Sequence, residues 1–239
     1  MFFDQAGYDV RCEWGLQGLL HLSPISDAVV IVDILSFSTT VDIVVANGAF
    51  ALPYRWKDAS AVQFAKEKHA QLASTRRSHD GYSLSPASVR AIPRDTALVL
   101  PSPNGSTLSI SANNVPTFTA CLRNPPAVAA HLATFARRVA VIPAGERWPD
   151  DSLRPCLEDW IGAGAVLSLL NGTRSPEAEL AVAAFERFRG ALAGALSRCA
   201  SGRELIERGF GCDIELASEY AASSAVPMLS GDRFVNCGS

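Results

Sequence analysis

An acidic side chain and a group of hydroxyl side chains follow one apolar segment of the chain. Residues 28–32 form a continuous apolar run rich in β-branched residues, which is typical of a strand buried on both faces. Asp33 comes directly after this run. A helical apolar pattern begins a few residues later and ends at Asn47 and Gly48, a pair that suits a helix C-terminus. The residues between strand and helix include four hydroxyl side chains: Ser36, Ser38, Thr39 and Thr40.

This arrangement predicts an anion site with a metal ion beside it. The first turn of a helix has free N–H groups and a partial positive charge, so it attracts phosphate and other anions. The carboxylate of Asp33 would repel such an anion unless a cation lay between them. We therefore predict a metal-assisted site for a phosphorylated small molecule, with Asp33 at its centre.

Polar residues also follow three later strands of the predicted sheet. In open parallel sheets, ligands bind outside the carboxyl ends of the strands, so these residues are expected to join Asp33 at one edge. Each set alone has a simpler explanation as a helix cap, a surface ion pair or a charge at a helix start. The convergence of four sets favours a functional cleft. The three further sets are Asn104, Gly105, Ser106 and Thr107; Arg123 and Asn124; and Glu146.

The residue types in these sets suit the recognition of an acid or a phosphate. Gly105 would let the backbone approach a ligand closely, and the hydroxyls after it lie at a helix start. The guanidinium of Arg123 is a planar fork that matches phosphate, sulfonate or carboxylate. Glu146 follows a glycine at a strand end, where function and a helix N-terminal charge are the two explanations for an acid.

Two adjacent acids lie within an otherwise apolar helical segment. Glu158 and Asp159 precede a Gly-Ala-Gly packing stretch. They could bind Mg²⁺, which takes oxygen ligands and keeps several waters. The alternative for this pair is an exposed turn of helix. Asp213 is expected to cap the last helix.

The remaining pattern predicts alternating strands and helices around these residues. Such alternation favours the α/β class, with a mostly parallel sheet and helices on both faces. The C-terminal half is helix-rich from about residue 150, and we predict a single domain over residues 1–239. The polar segment 74–93 predicts a long excursion or flap, and Pro53 places its strand near a sheet edge or near the strand's own end. Predicted strands cover 28–32, 49–56, 96–100, 117–121, 139–142 and either 226–229 or 234–237; predicted helices cover 59–72, 125–136, 155–170, 176–200, 202–208 and 212–222, with a short one ending near 112.

Composition argues against several classes of function. A net charge of -3 without a basic patch gives no electrostatic basis for binding nucleic acid. No apolar run reaches the roughly 20 residues needed to span a bilayer, and the first residues show no signal-peptide pattern. The six cysteines form no CxxC pair, so we expect free thiols in a reducing compartment. A cytoplasmic location without membrane association follows as the expectation.

Several familiar catalytic patterns are absent from the sequence. It has no Walker A phosphate-binding loop, no GxGxxG after a strand and no GxSxG nucleophile elbow. A DxD phosphatase motif would need a second acid at position 35, which is Leu35. A covalent phospho-aspartate route of that type is therefore disfavoured, although Asp33 stays a candidate nucleophile.

Short motifs in a fixed order resemble the 2-phosphosulfolactate phosphatase family over residues 8–229. They are VDILSFSTT, ANGA, LSP, PNGST, LRN, AGE, LEDWIGAGAV and SGREL, followed by Gly209 and Asp213. The resemblance implies an α/β phosphatase-like domain and a Mg²⁺-dependent phosphatase that hydrolyses 2-phospho-3-sulfolactate to sulfolactate and phosphate, a step towards coenzyme M. This sequence differs from the family pattern at Ser36, where the family commonly has an arginine after VDVL.

The residue patterns and the resemblance together assign roles to the predicted site. We expect the metal ligands to be Asp33, Glu158 and Asp159, with the ion polarising the phosphoryl oxygens and positioning a water. The same two aspartates and Glu146 are expected to take part in catalysis. Substrate and phosphate would be bound by Ser36, Ser38, Thr39, Thr40, Asn104, Gly105, Ser106, Thr107, Arg123 and Asn124.

Two alternatives stay open at this stage. The change at Ser36 admits a phosphatase for a different small phospho-acid, because a fixed cation is missing from the anion site. A non-catalytic binder of small anionic acids would use the same helix starts without turnover. The expected partner is a small phosphorylated acid, and the sequence leaves homo-oligomer formation open.

Overall fold

Strands and helices alternate along the chain, as the sequence pattern predicts. The computed structural model describes residues 2–78, 80–112 and 114–238. The strands are β1 (Val10–Cys12), β2 (Ala28–Val32), β3 (Phe50–Tyr54), β4 (Gln71–Leu72), β5 (Ala97–Pro101), β6 (Thr117–Ala120), β7 (Val139–Pro143), β8 (Glu146–Arg147), β9 (Leu153–Arg154), β10 (Pro227–Ser230) and β11 (Arg233–Asn236). The helices are α1 (Gly15–Leu22), α2 (Phe37–Ala46), α3 (Ser60–Glu67), α4 (Gly105–Ser111), α5 (Pro125–Leu132), α6 (Leu157–Leu167), α7 (Pro176–Phe188), α8 (Leu192–Arg198), α9 (Ala200–Glu207) and α10 (Gly211–Ser218).

Nine strands of the described residues form one sheet in the order β1-β7-β2-β6-β10-β11-β3-β5-β4. The neighbours within β1-β7-β2-β6 are parallel, and so are those within β3-β5-β4. The hairpin of β10 and β11 lies between these two groups and pairs antiparallel with both. Strands β8 and β9 form a separate small hairpin. The predicted α/β class with a mostly parallel sheet is therefore confirmed.

Strand β2 is buried on both faces, which explains its continuous apolar sequence. It lies between β7 and β6, and each of its five side chains is buried. Val30 and Val32 share a hydrophobic core with residues of α5 and α6. Val29 and Ile31 point to the opposite face and share a core with residues of α1 and α4. Because helices cover both faces, the polar residues after β2 are held at the edge of a rigid layer.

The structure corrects several predicted element boundaries. The helix predicted over 59–72 ends at Glu67, and Leu72 belongs to β4. The helix predicted over 176–200 is divided into α7 and α8 by a 3-10 turn at Arg189–Ala191. Strand β3 is interior rather than at an edge, and Pro53 lies near its end, where a missing N–H is best tolerated. Both candidates for a last strand are used, because they form the hairpin of β10 and β11.

Two glycines let α6 pack closely against its neighbours. A Cβ at Gly164 would overlap the carbonyl oxygen of Ala181 in α7, and a Cβ at Gly162 would lie 2.7 Å from Ile34 Cγ1. The predicted Gly-Ala-Gly packing stretch is thus confirmed. This close approach places the first turn of α6 against the segment that follows β2.

The helix-rich C-terminal half consists of α6 to α10, which pack beside the first parallel group of strands. No helix within the described ranges combines the length and the apolar character required to cross a lipid bilayer. The single domain over residues 1–239 stays a prediction.

We predict that Gly164→Ala destabilises the protein by about 1–3 kcal/mol, because the added methyl group overpacks the contact between α6 and α7. Urea unfolding followed by circular dichroism measures this difference. Gly190→Ala is the matched control, since a Cβ at Gly190 would meet no atom within 4 Å. Equal unfolding midpoints for the two variants would contradict the prediction.

Candidate active site

The carboxylate of Asp33 is buried and held by backbone N–H groups from two different helices. The N–H of Phe37 donates to Oδ1 over 3.3 Å, and the N–H of Gly105 donates to Oδ2 over 2.9 Å. The backbone N–H of Asp33 donates to Ser38 Oγ over 2.9 Å. These bonds fix the orientation of the carboxylate at the end of β2.

Gly105 is required for this geometry because the chain packs tightly at this point. A Cβ at Gly105 would overlap the ring of Phe37 and would lie 2.8 Å from Asp33 Oδ2. The sequence predicts that a glycine here permits a close backbone approach. In the structure the approached group is the carboxylate of Asp33.

Asp33, Asn104 and Glu146 line one cavity of about 400 Å³. Asn104 Nδ2 donates to Glu146 Oε2 over 2.8 Å, so the two side chains form a pair at the cavity wall. The three residues come from the segments after β2, β5 and β7. The structure thus brings together three of the four polar sets that the sequence places at strand ends.

Two acidic side chains, Asp33 and Glu146, share this cavity, and the pKa of each is raised. Burial, together with the neighbouring charge of Glu146, raises the pKa of Asp33 to about 7. Burial also raises the pKa of Glu146, although Asn104, Arg154 and Lys57 act against this shift. The carboxylates are therefore poised to hold a proton or a cation.

Asp159 does not line the cavity, but its carboxylate binds two of the segments that surround Asp33. Its Oδ1 accepts from the N–H of Ile34 over 2.7 Å, and its Oδ2 accepts from the N–H of Gly145 over 2.9 Å. Burial and the charge of Asp33 raise the pKa of Asp159 well above its ordinary value. This side chain joins the segment after β2 to the segment after β7.

Glu158 is buried and also lies outside the lining of the cavity. Both acids of the pair are therefore buried, so the alternative of an exposed helix turn is wrong. The charge of Glu158 contributes to the raised pKa of Asp33. A metal role for Glu158 and Asp159 stays a prediction without support from their position.

The predicted hydroxyl groups serve mainly as internal hydrogen-bond partners. Thr39, Thr40 and Ser106 donate to the carbonyl oxygens of Ile34, Leu84 and Leu100, and Ser38 bonds to Asp33 and Thr119. A buried hydroxyl near a free carbonyl gains more from that bond than from solvent, which explains their orientation. Thr107 lines a neighbouring cavity of about 270 Å³ instead. Of these predicted hydroxyls, Ser36 alone lines the cavity with Asp33.

The structure does not bring Arg123 into the cavity. Arg123 Nε donates to the buried carboxylate of Asp42 over 2.9 Å, and its Nη1 donates to Glu219. Asn124 accepts from the N–H of Cys121 over 2.9 Å and donates to the carbonyl of Ala225 over 3.1 Å. The two side chains thus connect the end of β6 to α2 and to the segment between α10 and β10.

The sequence analysis missed Arg77, which enters the cavity from the polar segment 74–93. Arg77 Nη2 donates to Ser36 Oγ over 2.5 Å, and its Nη1 donates to Asp213 Oδ2 over 2.5 Å. Asp213 is fully buried and makes no helix-capping bond, which corrects the predicted capping role. The signal for Arg77 was the adjacent arginine pair of this segment, combined with the absence of arginine at position 36.

Further cations line the same cavity. They come from the segment after β3, from β8 and β9, and from the end of α9, and they were not singled out in the sequence. They are Lys57, Arg147, Arg154 and Arg208. Their charges offset the carboxylates and make the cavity suitable for a small anion.

The arrangement offers two carboxylates to a cation. Among the described residues, no group of three or more His, Cys, Asp or Glu side chains is placed to hold a metal ion. Asp33 and Glu146 nevertheless provide oxygen atoms within one cavity, which is the donor type that Mg²⁺ prefers. Chemically, the cavity can hold a cation and an anion side by side.

Comparison with known proteins agrees with this chemistry. Residues 16–232 match the model of a family described as 2-phosphosulpholactate phosphatase. A relative from Pseudothermotoga lettingae, described as a probable 2-phosphosulfolactate phosphatase, is 26% identical over 210 residues, which cover 86% of this chain and 91% of the relative. The matched range includes all the residues that line the cavity with Asp33.

We predict that Asp33 makes stability depend on pH when no divalent cation is present. Its pKa is about 7 in the folded protein and 3.8 ordinarily, so between these values the folded state holds a proton that the unfolded state releases. Stability should therefore fall as the pH rises from about 4 to about 7. Urea unfolding of the wild type and Asp33→Asn with a chelator tests this, and equal pH profiles would contradict it.

We predict that Arg123→Ala lowers stability by about 3–5 kcal/mol, because it leaves the buried charge of Asp42 without its partner. Chemical unfolding measures the loss. Arg137→Ala is the control, since the exposed pair of Arg137 with Asp9 should contribute less than about 1 kcal/mol. Unchanged stability together with weaker phosphate binding would instead support the predicted role of Arg123 in the anion site.

Proposed function

Because the chain belongs to the 2-phosphosulpholactate phosphatase family and is a phosphoric monoester hydrolase, we propose that it hydrolyses the phosphate ester of a small hydroxy acid with the help of Mg²⁺. The most specific candidate is 2-phospho-3-sulfolactate, which yields sulfolactate and phosphate. The description of the Pseudothermotoga lettingae relative supports this substrate. The observation that carries the proposal is the meeting of Asp33, Asn104 and Glu146 with several cations in one small cavity.

Asp33 and Glu146 are the residues that would hold Mg²⁺. This ion commonly uses one or two carboxylates, several waters and the oxygens of a substrate phosphate, so two carboxylates are a sufficient contribution from the protein. The raised pKa of each side chain supports the assignment, because two buried negative charges gain from a nearby cation. When bound, Mg²⁺ supplies Lewis-acid polarisation of the phosphoryl oxygens.

The two carboxylates are oriented before a substrate binds. The N–H groups of Phe37 and Gly105 hold Asp33, and the amide of Asn104 holds Glu146. Burial raises the pKa of Asp33 to about 7 in the cation-free protein. With a cation bound, the carboxylate that does not hold it would act as the general base for an attacking water. We assign proton acceptance to this pair of carboxylates.

The charges of the cavity suit a small substrate with more than one anionic group. Its lining contains five cationic side chains and three acids, and its volume of about 400 Å³ matches a compact organic acid. Lys57 and Arg154 are the cations whose charges act most directly on Glu146. They would stabilise the negative charge that develops on the phosphoryl group during hydrolysis.

The uncharged side chain at Ser36 leaves a second candidate substrate open. This residue lines the cavity, and its hydroxyl carries no charge of its own toward a substrate. A different small phospho-acid is therefore the alternative substrate, while a binder without turnover is the alternative function. Screening a panel of phosphorylated hydroxy acids for phosphate release and for thermal stabilisation separates these cases.

Three finer points belong to the proposal. We place the reaction among the steps of coenzyme M biosynthesis because its product would be sulfolactate. The six cysteines of the chain are free thiols, which supports a cytoplasmic location. Nucleic acid has no part in the proposed function, and assembly into a homo-oligomer stays open to measurement.

We predict that Asp33→Asn lowers the rate of phosphate release by about 100-fold or more, because the variant loses a proton acceptor and a metal ligand. A chelator should abolish the wild-type activity, and Mg²⁺ should restore it. Phosphate release from 2-phospho-3-sulfolactate is the measurement.

Asp95→Asn is the matched control for this experiment. Asp95 is exposed and has a φ of 63°, a conformation that asparagine adopts readily, so the change should leave both folding and activity intact. Full activity of Asp33→Asn would rule out a central role for Asp33, and activity in excess chelator would rule out the metal.

A further inference from the structure

Arg77 is held in the cavity by a network that begins far away in the sequence. The buried carboxylate of Asp213 accepts from Arg77 Nη1, from Ser85 Oγ over 2.5 Å and from the N–H of Ala87 over 3.2 Å. The guanidinium also lies over the ring of Phe210, with 5.9 Å between Arg77 Cζ and the ring centroid. The segment 74–93 and helix α10 are thereby joined at Asp213, and Arg77 is fixed before any ligand arrives.

The guanidinium of Arg77 retains N–H groups for a ligand. A guanidinium has five N–H groups. Those of Nη1 and one of Nη2 serve Asp213, the carbonyl of Leu84 and Ser36. The remaining N–H groups belong to a side chain that lines the cavity and is 11% exposed. They are available to an anion in the cavity.

A second guanidinium in the cavity adds to the positive charge that acts on Arg77. Arg208 lines the same cavity, and its positive charge acts with burial to lower the pKa of Arg77. Its Nη1 is bonded to Glu204 over 2.9 Å. Two like charges that line one cavity repel each other, and an anion bound near them lowers that repulsion.

The cavity therefore holds both carboxylates and guanidinium groups. Asp33 and Glu146 are the carboxylates at which the proposed Mg²⁺ would accompany the phosphate. Arg77 is bonded to Ser36 and lines the cavity together with Arg208. A substrate with a single phosphate would use the two carboxylates and their metal, while a second anionic group would reach Arg77.

We infer that Arg77 binds the acidic tail of the substrate, a sulfonate or a carboxylate, and so selects phosphorylated acids over simple phosphate esters. The planar fork of arginine matches the oxygens of either group. This inference rests on the proposed function, since it assigns the phosphate to Asp33, Glu146 and their cation.

The test compares two substrates in one variant. Arg77→Met combined with Asp213→Asn removes the cation without leaving a buried charge behind. With 2-phospho-3-sulfolactate, KM should rise about 10-fold to 100-fold, because a charge-assisted hydrogen bond to the tail is lost. With p-nitrophenyl phosphate, which has no acidic tail, the loss in kcat/KM should be clearly smaller than the loss with the acidic substrate, since no bond to a tail is lost. Equal losses on both substrates, or no loss on either, would overturn the inference.

Two further variants separate tail binding from a structural role. Arg77→Lys keeps the charge and the pairing with Asp213 but loses the fork, so it should raise KM for the acidic substrate alone. Ser36→Arg in the double variant returns a guanidinium to the cavity and should recover part of the lost affinity, because the Ser36 hydroxyl lies 2.5 Å from Arg77 Nη2. Failure of Arg77→Lys to discriminate between the two substrates would count against tail binding even if the double variant folds poorly. Arg203→Ala, which alters an exposed arginine of α9 outside the cavity lining, is the control for loss of positive charge.

A binding measurement distinguishes failure of this inference from failure of the proposed function. Isothermal titration with sulfolactate needs no turnover. The wild type should bind sulfolactate, and Arg77→Lys should bind it about 10-fold more weakly because the bidentate contact is lost. If the wild type releases no phosphate yet shows this binding difference, the proposed reaction fails and the tail site stands. If the wild type releases phosphate and both proteins bind sulfolactate equally, the tail site fails alone, and absence of sulfolactate binding by the wild type overturns it as well.

Discussion

The hydrogen bond from the backbone of Gly105 to the carboxylate of Asp33 is the constraint on which the site depends. Asp33 follows β2, whereas Gly105 opens a helix that follows β5, and four other strands lie between those two in the sheet. The bond joins the segment after β2 to the segment after β5 at one point. Asn104, the residue before Gly105, thereby reaches the cavity. Since a Cβ at Gly105 would collide with Phe37 and Asp33, glycine is the residue that permits the contact. The orientation of the Asp33 carboxylate thus depends on the absence of a side chain at Gly105.

The cost of burying acids explains how the surroundings of the site are built. Backbone N–H groups satisfy both oxygens of Asp159, and this carboxylate ties the segments after β2 and β7 together. Asp33 also has one backbone donor on each oxygen, but it lines the cavity, whereas Asp159 does not. Acids of similar burial therefore serve different purposes. Asp159, which is enclosed, joins two segments of the structure, and Asp33, which lines the cavity, remains accessible to a cation.

The sequence predicts the central strand, the mostly parallel sheet and the meeting of Asp33, Asn104 and Glu146, because strand ends in such sheets share an edge. It does not predict which hydroxyls and cations face the cavity. Ser38 and Thr39 have the residue types of a phosphate site, yet they satisfy backbone groups inside the protein. Arginine is a residue type that often binds anions, yet Arg123 forms an ion pair with the buried carboxylate of Asp42. Residue type and spacing state what a side chain can bind, and only the tertiary contacts decide which partner it has.

The position of Arg77 shows why the helix-rich C-terminal half belongs to the site. Its guanidinium reaches Ser36 at the start of α2, but its anchor is Asp213 on α10. A cation at position 36 itself would be fixed by its own helix, whereas Arg77 depends on a pairing between the segment 74–93 and a helix near the end of the chain. Arg208, at the end of α9, lines the same cavity. Asp33 and Glu146 thus follow strands of the main sheet, whereas Arg77 and Arg208 come from elements outside it, so the proposed contact with a second anionic group is held by different elements from those that hold the carboxylates.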